Sequence, residues 1–399
     1  MSSSRVSIVV PTVSAGEHIP PLLDSVAALN YPRELVETIV VDNRPTDASS
    51  RLLAERYPWA KELPQSENLG YAAAVNEGAR AAGGELLALC NDDMRLDANW
   101  LRELVAAHDP AAGYHCAAGV ILDWKGERVD FAGGFVNLHG FAGQEAFGEP
   151  IGSITIEEDR ELPFACGGSM LIGRELFLEL GGFDPVFFAL LEDVDLGWRL
   201  RLAGHGVRLA AHARSFHRHG ATTQTLLDAH ERDFLFERNA LVMLLKNVAS
   251  ANLPSFLAYA LFLLGARAAR SGRPDPPGLR AVDDVVGRLE SVLRERDRVQ
   301  GLRRRSDEEL AALFGRPLLA AAADESYLAA SALLVRLLRL DDLLPDEPGS
   351  RDETAELRQL LDAWRDRYGV GRSPLWHLRR AVAAALPEQL RRRRAHAPY

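Results

Sequence analysis

The chain is predicted to be an α/β protein, with a doubly wound, mostly parallel sheet in residues 1–250 and a helical region in residues 251–399. Three observations carry this expectation. Apolar strand-like runs alternate with amphipathic helical stretches three times in about ninety residues, the pattern of strand–helix–strand units around a parallel sheet. The run Leu86–Cys90 is apolar throughout, as suits a strand covered on both faces. Beyond residue 250 the strand pattern gives way to helical spacing, as at Val282, Val285, Val286, Leu289, Val292 and Leu293.

Taken in order, Val6–Val10 is a β-branched run ended by Pro11 and Thr12, and Ile19, Leu22, Leu23, Val26 and Leu29 give the following helix one apolar face. Val36–Val41 is a second strand, closing on Asp42, Asn43 and a turn, with Asp47 expected as N-cap of a helix over Ala48–Tyr57. At the last position of that strand, Asp42 is suited to accept hydrogen bonds from a base or ribose. The small residues Gly70 and Ala72–Ala74, flanked by Asn68 and Asn76, start a helix that stops at Gly83-Gly84. The Leu86–Cys90 strand then breaks into Asn91, Asp92 and Asp93, where open α/β sheets bind ligands. Two carboxylates there either bind a divalent cation and its phosphates or cap the next helix.

A helix over Trp100–Ala107 leads into a glycine-rich stretch, Ala117–Pro150, expected to be a lid or acceptor-side loop rather than short hairpins. Phe164–Ile172 returns to a strand. A second acidic cluster follows at Glu192, Asp193 and Asp195. Asp195 and Arg199 stand four apart, the spacing of a helical pair worth a few tenths of a kcal/mol. Three carboxylates in four positions exceed what capping needs, so one is a candidate general base. His217 and His219 follow a strand at Val207–Ala211, and beside two acidic clusters they are candidate metal ligands.

Composition excludes several classes. With 399 residues, 47% hydrophobic and 26% charged, the chain is globular and fits about two or three domains. A net charge of -10 argues against nucleic acid as partner. Cys90, Cys116 and Cys166 lie far apart among small or apolar neighbours, without zinc or disulfide spacing, which suits a reducing compartment. Neither a signal-peptide pattern nor an apolar run of membrane-spanning length is present, so a cytoplasmic protein is expected. No glycine-built phosphate cradle of the dinucleotide or P-loop kind occurs in the first half, so a bound nucleotide would need a metal for its phosphates.

In order across residues 5–250, VSIVVPT, IVVDNRPTD, ENLGYAAAVNEG, LLALCNDD, CGGSMLI, GGFDPVFF, LEDVDLGWRLRLAGHGV and FHRHGAT together resemble the inverting family 2 glycosyltransferases of the GT-A fold. Within them the set is most similar to a rhamnosyltransferase-like bacterial subgroup. The resemblance implies a nucleotide-diphospho-sugar donor, a glycan or lipid-linked hydroxyl acceptor, and Mg2+ or Mn2+. It implies that Pro11, Thr12, Asp42, Asn43, Asn68, Gly70, Asn76, Asn91, Asp92 and Gly168 line the substrate. Asp93 and His217 would hold the metal, Asp193 would be the catalytic base, and Glu192 stands second for that role. Asn91 departs from the carboxylate usual there, as Arg44-Pro45 departs from glycine and serine. The first departure implies weak metal binding until the donor diphosphate supplies further ligands.

In the last third, Pro274–Gly278 and Pro345–Ser350 read as linkers, Ser306 with Glu309 as a capping box, and Leu328–Leu340 as an apolar-faced helix. A basic helix around Trp376–Arg394 is suited to a solvated tail, an oligomer contact or an anionic membrane surface. Two other functions remain open on these residues. One is a nucleotidyltransferase that makes nucleotide sugars, although VPTVSAGEHIPP lacks the basic glycine-rich loop it would want. The other is a catalytically inactive sugar-nucleotide-binding scaffold, against which the retention of both Asp93 and Asp193 argues.

Overall fold

The computed structural model describes residues 4–13, 18–218, 227–271, 273–314, 334–335 and 337–340. It divides into two compact units, the first comprising Met1–Val136, Ala142–Ala229 and Gly301–Ser306, the second Asn137–Phe141, His230–Gln300 and Asp307–Tyr399. His219, the Pro345–Ser350 linker, the basic helix around Trp376–Arg394 and most of the Leu328–Leu340 helix lie outside the described residues.

The first unit opens with β1 (Val6–Thr12), α1 (Ile19–Ala27), β2 (Val36–Asp42), α2 (Asp47–Arg56), β3 (Ala60–Pro64), α3 (Gly70–Ala81) and β4 (Leu86–Cys90). β1 pairs in parallel with β2 and β4, and β2 in parallel with β3. All five residues of β4 are buried, as its unbroken apolar run requires. Each large aliphatic side chain placed this way contributes about 1.5–3 kcal/mol. α2 is capped by Thr46 rather than by Asp47. Thr46 is extended, its hydroxyl accepts the Ser49 amide at 3.1 Å, and the Ser49 hydroxyl accepts the Thr46 amide at 2.8 Å, so Asp47 falls in the first helical turn.

The chain continues through β5 (Met94–Leu96), α4 (Trp100–Ala107), β6 (Tyr114–Asp123), β7 (Val129–Phe131), β8 (Gly134–Val136) and β9 (Ala142–Gln144). The stretch expected to be a long lid loop is therefore about half strand, with Gly126, Gly133, Gly140 and Gly148 outside the strands and Gly119, Gly134 and Gly143 within them. β10 (Ser169–Gly173) starts five residues later than the apolar run suggested, after which come α5 (Arg174–Glu179), α6 (Glu192–Leu202) and β11 (Gly206–His217). Among the described residues one nine-stranded sheet runs β3-β2-β1-β4-β10-β6-β11-β5, with β7 beside β6. It is mixed. β10 is inserted antiparallel between β4 and β6, and β11 runs parallel to β6. Trp100, fully buried, donates its indole N–H to the Ser169 hydroxyl at 2.8 Å and so fixes α4 beneath β10.

Asp195 and Arg199 do pair four apart, at 2.8 Å, but both side chains are 0% exposed. Arg199 also donates to the carbonyls of Leu180 at 2.7 Å and Gly182 at 2.8 Å. The pair is thus an interior anchor for α6, not a surface contact worth tenths of a kcal/mol. Removing one partner would leave a buried charge at a cost of about 3–5 kcal/mol.

From Ala229 on, the described residues form α7 (Ala229–Asn247), α8 (Leu253–Arg270), α9 (Pro277–Gly287), α10 (Leu289–Leu302) and α11 (Asp307–Phe314). The apolar face expected over 282–293 is split between α9 and α10 at Arg288, and Pro277 and Gly278 open α9 rather than belonging to a linker. Buried Arg296 donates to the carbonyls of Leu245 at 2.6 Å and Val248 at 2.8 Å, satisfying the end of α7. Among the described residues no helix is long and apolar enough to cross a membrane.

Candidate active site

The carboxyl ends of β1, β2 and β4 converge with the start of α3. Pro11 and Thr12 close β1, and the Thr12 hydroxyl donates to Oδ2 of Asp92 at 2.6 Å across 80 positions of chain. The Asn43 amide donates to the Thr12 carbonyl at 2.8 Å, and Asn43 Nδ2 lies 3.4 Å from the Gly70 carbonyl. Asn68 accepts the Gly70 amide at 3.0 Å, the Asx turn that leads into α3. Thr12, Asn43, Asn68, Gly70 and Asp92 are thereby brought into one network. Asp42 is fully buried and accepts the Arg44 amide at 3.1 Å. Asn76 stands apart from this network. Its amide donates to the Phe183 carbonyl at 2.6 Å and accepts the Phe183 amide at 2.9 Å, so it holds the turn before α6.

Asp93 lies at the other side of the same strand end. Its Oδ1 is 3.1 Å from Nε2 of His217, the last residue of β11. Nδ1 of the same ring is 2.5 Å from Oδ2 of Asp130. Burial works to lower the His217 pKa, but the hydrogen bonds to Asp130 and Asp93 and their charges outweigh it and lift the value to about 10.

The second acidic cluster meets this end through the segment Cys166–Gly168, which leads into β10. Asp193 Oδ2 accepts the Gly167 amide at 2.9 Å, and Oδ1 accepts the Val194 amide at 2.8 Å. One residue on, a side chain at Gly168 would meet Asn91 Nδ2 at 3.3 Å. Burial, followed by the charge of Asp193 and then by those of Asp130 and Glu192, pushes the Cys166 thiol well up, so all three carboxylates lie within electrostatic reach of one side chain. Tyr71 closes the floor by donating its hydroxyl to the Gly167 carbonyl at 3.0 Å.

Glu192 and Asp193 differ in environment. Glu192 is 7% exposed and its Oε2 is buried without a hydrogen-bond partner. Burial, then the Asp193 charge, raises its pKa to about 8, so it is protonated near neutral pH. Asp193 is only half-buried, and burial raises its pKa while the Gly167 and Val194 amides oppose the rise. The residues leading into this pair are strained: Phe188, Leu190 and Leu191 have φ of 62°, 72° and 68°, values that non-glycine residues rarely adopt outside functional sites. Gly70 has φ of 79° and a Cβ there would lie 2.5 Å from the Phe188 ring, which explains glycine at this position.

With the proton on Nε2 displaced by a cation, Asp93 and His217 would supply a carboxylate oxygen and an imidazole nitrogen from two strand ends, a donor pair that suits Mg2+ or Mn2+. Among the described residues no group of three or more His, Cys, Asp or Glu side chains is arranged to hold a metal by itself. The two-donor set fits a cation whose remaining ligands come from phosphate and water. Asn43 Oδ1 and Asn91 Oδ1 are buried without hydrogen-bond partners, open acceptors at the same strand ends. Asp130 and Tyr71 were not singled out in the sequence. The only signal for Asp130 is a carboxylate between two apolar residues, Val129 and Phe131.

The profile of the family described as "Glycosyl transferase family 2" matches residues 7–181. The O-antigen biosynthesis protein RfbC of Myxococcus xanthus is 34% identical over 228 residues, 55% of this chain and 18% of that protein. The N-acetylglucosaminyl-diphospho-decaprenol L-rhamnosyltransferase of Mycobacterium tuberculosis is 30% identical over 221 residues, 49% of this chain and 70% of that protein. The chain thus spans under a fifth of the first relative's length and about two-thirds of the second's. Among solved structures, S. aureus TarS 1-349 in complex with UDP-GlcNAc superposes with a TM-score of 0.52 at 16% identity, over 92% of this chain and 94% of that one. GalNAc-T7 with UDP, GalNAc and Mn2+ does so with a TM-score of 0.52 at 15% identity, over 74% and 55%. These two likenesses establish the GT-A fold.

Proposed function

The chain belongs to glycosyl transferase family 2, and from that premise we propose that it moves a hexosyl or rhamnosyl unit from a nucleotide-diphospho-sugar to a hydroxyl acceptor with inversion. The observation that carries this reading is the contrast within the Glu192–Asp193 pair. Glu192 is buried, its Oε2 has no hydrogen-bond partner, and burial followed by the Asp193 charge raises its pKa, whereas Asp193 is partly exposed and both its oxygens are braced by the Gly167 and Val194 amides. Asp193 is therefore the general base that removes the acceptor hydroxyl proton, on the face opposite the departing diphosphate. Attack and departure on opposite faces invert the anomeric carbon.

On the donor side, Thr12, Asn43, Asn68 and Gly70 take the nucleoside, with Asp42 at the strand end beside them. Asn91, Asp92 and Gly168 face the sugar and diphosphate. A divalent cation, Mg2+ or Mn2+, held by Asp93 and His217 would stabilise charge on the departing diphosphate. The GalNAc-T7 structure, of the same fold, contains UDP and Mn2+, which supports this cofactor class. The Mycobacterium relative's name gives L-rhamnosyl as the unit moved and a diphospho-decaprenol as the carrier. We extend both to this chain as donor and acceptor class: a lipid-linked saccharide met at the cytoplasmic face of the membrane. We place this chemistry in residues 1–250; the described residues from 251 to 314 are mostly helical.

Transfer and donor hydrolysis measured across a panel of nucleotide-diphospho-sugars, with Mn2+, Mg2+ or EDTA, test the proposal. Release of nucleoside diphosphate from one donor class, lost with EDTA and restored by metal, is the expected result. Synthesis of nucleotide sugar from nucleoside triphosphate and sugar phosphate, with no release from any donor, would overturn it.

A further inference from the structure

We propose that Asp130 is a positioning residue that fixes the ring of His217 so that Nε2 faces the cation; the inference rests on the metal-holding reading of Asp93 and His217. The two ring nitrogens of His217 have different partners. Nδ1 lies 2.5 Å from Asp130 and Nε2 lies 3.1 Å from Asp93. Asp130 keeps a proton on Nδ1, so a cation bound with Asp93 would replace the proton on Nε2 and leave that nitrogen as the ligand; such partners both orient the imidazole and strengthen it as a donor.

The backbone is shaped for this contact. β7 pairs with β6 through Ile121↔Phe131 and Leu122↔Val129, with a register shift between Ile121 and Leu122. Asp130 is the residue left over by that shift. A bulge of this kind re-aims one side chain while its neighbours keep their pairing. Val129 and Phe131 stay in the core at 2% and 0% exposure, and the Asp130 carboxylate, on a residue 4% exposed, reaches His217. β11 carries its own irregularity between Ala210 and Arg214 before it resumes pairing with β6 and ends at His217. Two interruptions in neighbouring strand pairs thus bring one carboxylate and one imidazole together across 87 positions of chain. A carboxylate buried only to complete an apolar strand would not need either.

The test is Mn2+ binding followed by electron paramagnetic resonance on the full chain, with and without UDP, for wild type, Asp130→Asn and His217→Ala. Melting without metal serves as the control for folding. Asp130→Asn is expected to weaken Mn2+ binding by about 10- to 100-fold. Unchanged affinity in a folded Asp130→Asn, with affinity lost in His217→Ala, would overturn the positioning role and leave the metal reading intact. Wild type that binds no Mn2+ even with UDP would overturn both. A second measurement keeps the idea testable should Asp130→Asn fail to fold: 15N shifts of His217 in the Mg2+-bound wild type. Protonated Nδ1 with unprotonated Nε2 is expected, and the opposite tautomer would refute the assignment.

Discussion

Oδ2 of Asp193 accepts the Gly167 amide at 2.9 Å, joining the start of α6 to the segment that enters β10. β10 pairs along its length with β4, where Ser169 stands opposite Cys90, one residue before Asn91. A hydrogen bond between residues 26 positions apart therefore sets the distance from the second acidic cluster to the first. It also leaves both oxygens of Asp193 braced by backbone amides, the fixed geometry that the proposed base would need to meet an incoming hydroxyl.

Asp193→Asn should retain donor affinity and lose turnover by about 10²- to 10⁴-fold, the usual worth of general-base assistance. Steady-state kcat and donor binding by calorimetry separate the two. At pH 7, Glu192→Gln should retain turnover, because the amide mimics the protonated carboxyl already present. A large kcat loss in Glu192→Gln with a mild one in Asp193→Asn would exchange the roles.

The same carboxyl gives a pH signature. The Glu192 pKa rises from 4.5 to about 8 on folding, so between these values the folded chain binds more protons than the unfolded one. Its contribution is fully present below pH 4.5 and is lost as pH climbs through about 8. Glu192→Gln, which cannot ionise, should therefore gain on wild type in melting temperature as pH rises through this window. A difference that is flat with pH would show that Glu192 ionises freely in the fold.

Thr12→Val keeps the shape of the side chain and removes the donor to Asp92. Hydrogen bonds to charged groups are worth about 1.5–3 kcal/mol, and this one is buried, so urea denaturation should show a loss of that order. Donor KM should rise as well, because the ends of β1 and β4 are no longer tied. A stability change within about 0.5 kcal/mol would mean that Asp92 finds another donor there.

Gly70→Ala should cost about 1–3 kcal/mol through its left-handed backbone. The new methyl would also stand 2.7 Å from the Phe188 carbonyl oxygen, a backbone atom. Shrinking the ring with Phe188→Ala should therefore fail to restore stability in the double variant. Full recovery, read by denaturant midpoint, would assign the constraint to the ring alone.

Local pattern carried the reading a long way. Val6–Thr12 and Val36–Asp42 are strands rich in β-branched residues, Leu86–Cys90 is a strand apolar without interruption, and Trp100–Ala107 is a helix with its apolar residues on one face. Asp93, Asp193 and His217 were visible because charge at the end of an apolar run has no packing purpose. The glycine-rich stretch misled, since glycine marks a hairpin turn and a long loop alike, and only pairing partners distinguish them.

What the amino-acid order determined by itself was therefore much of what has a short period: the strands β1, β2 and β4, the helices α1 and α4, and the acidic strand ends. What tertiary structure decided was which of these meet. Asn76 is spent on Phe183, Asp195 and Arg199 are interior, β10 enters antiparallel, and Asp130 reaches His217 through a bulge. Each of these depends on pairing between distant segments. Hydrophobic periodicity, which repeats within a few residues, carries no record of it.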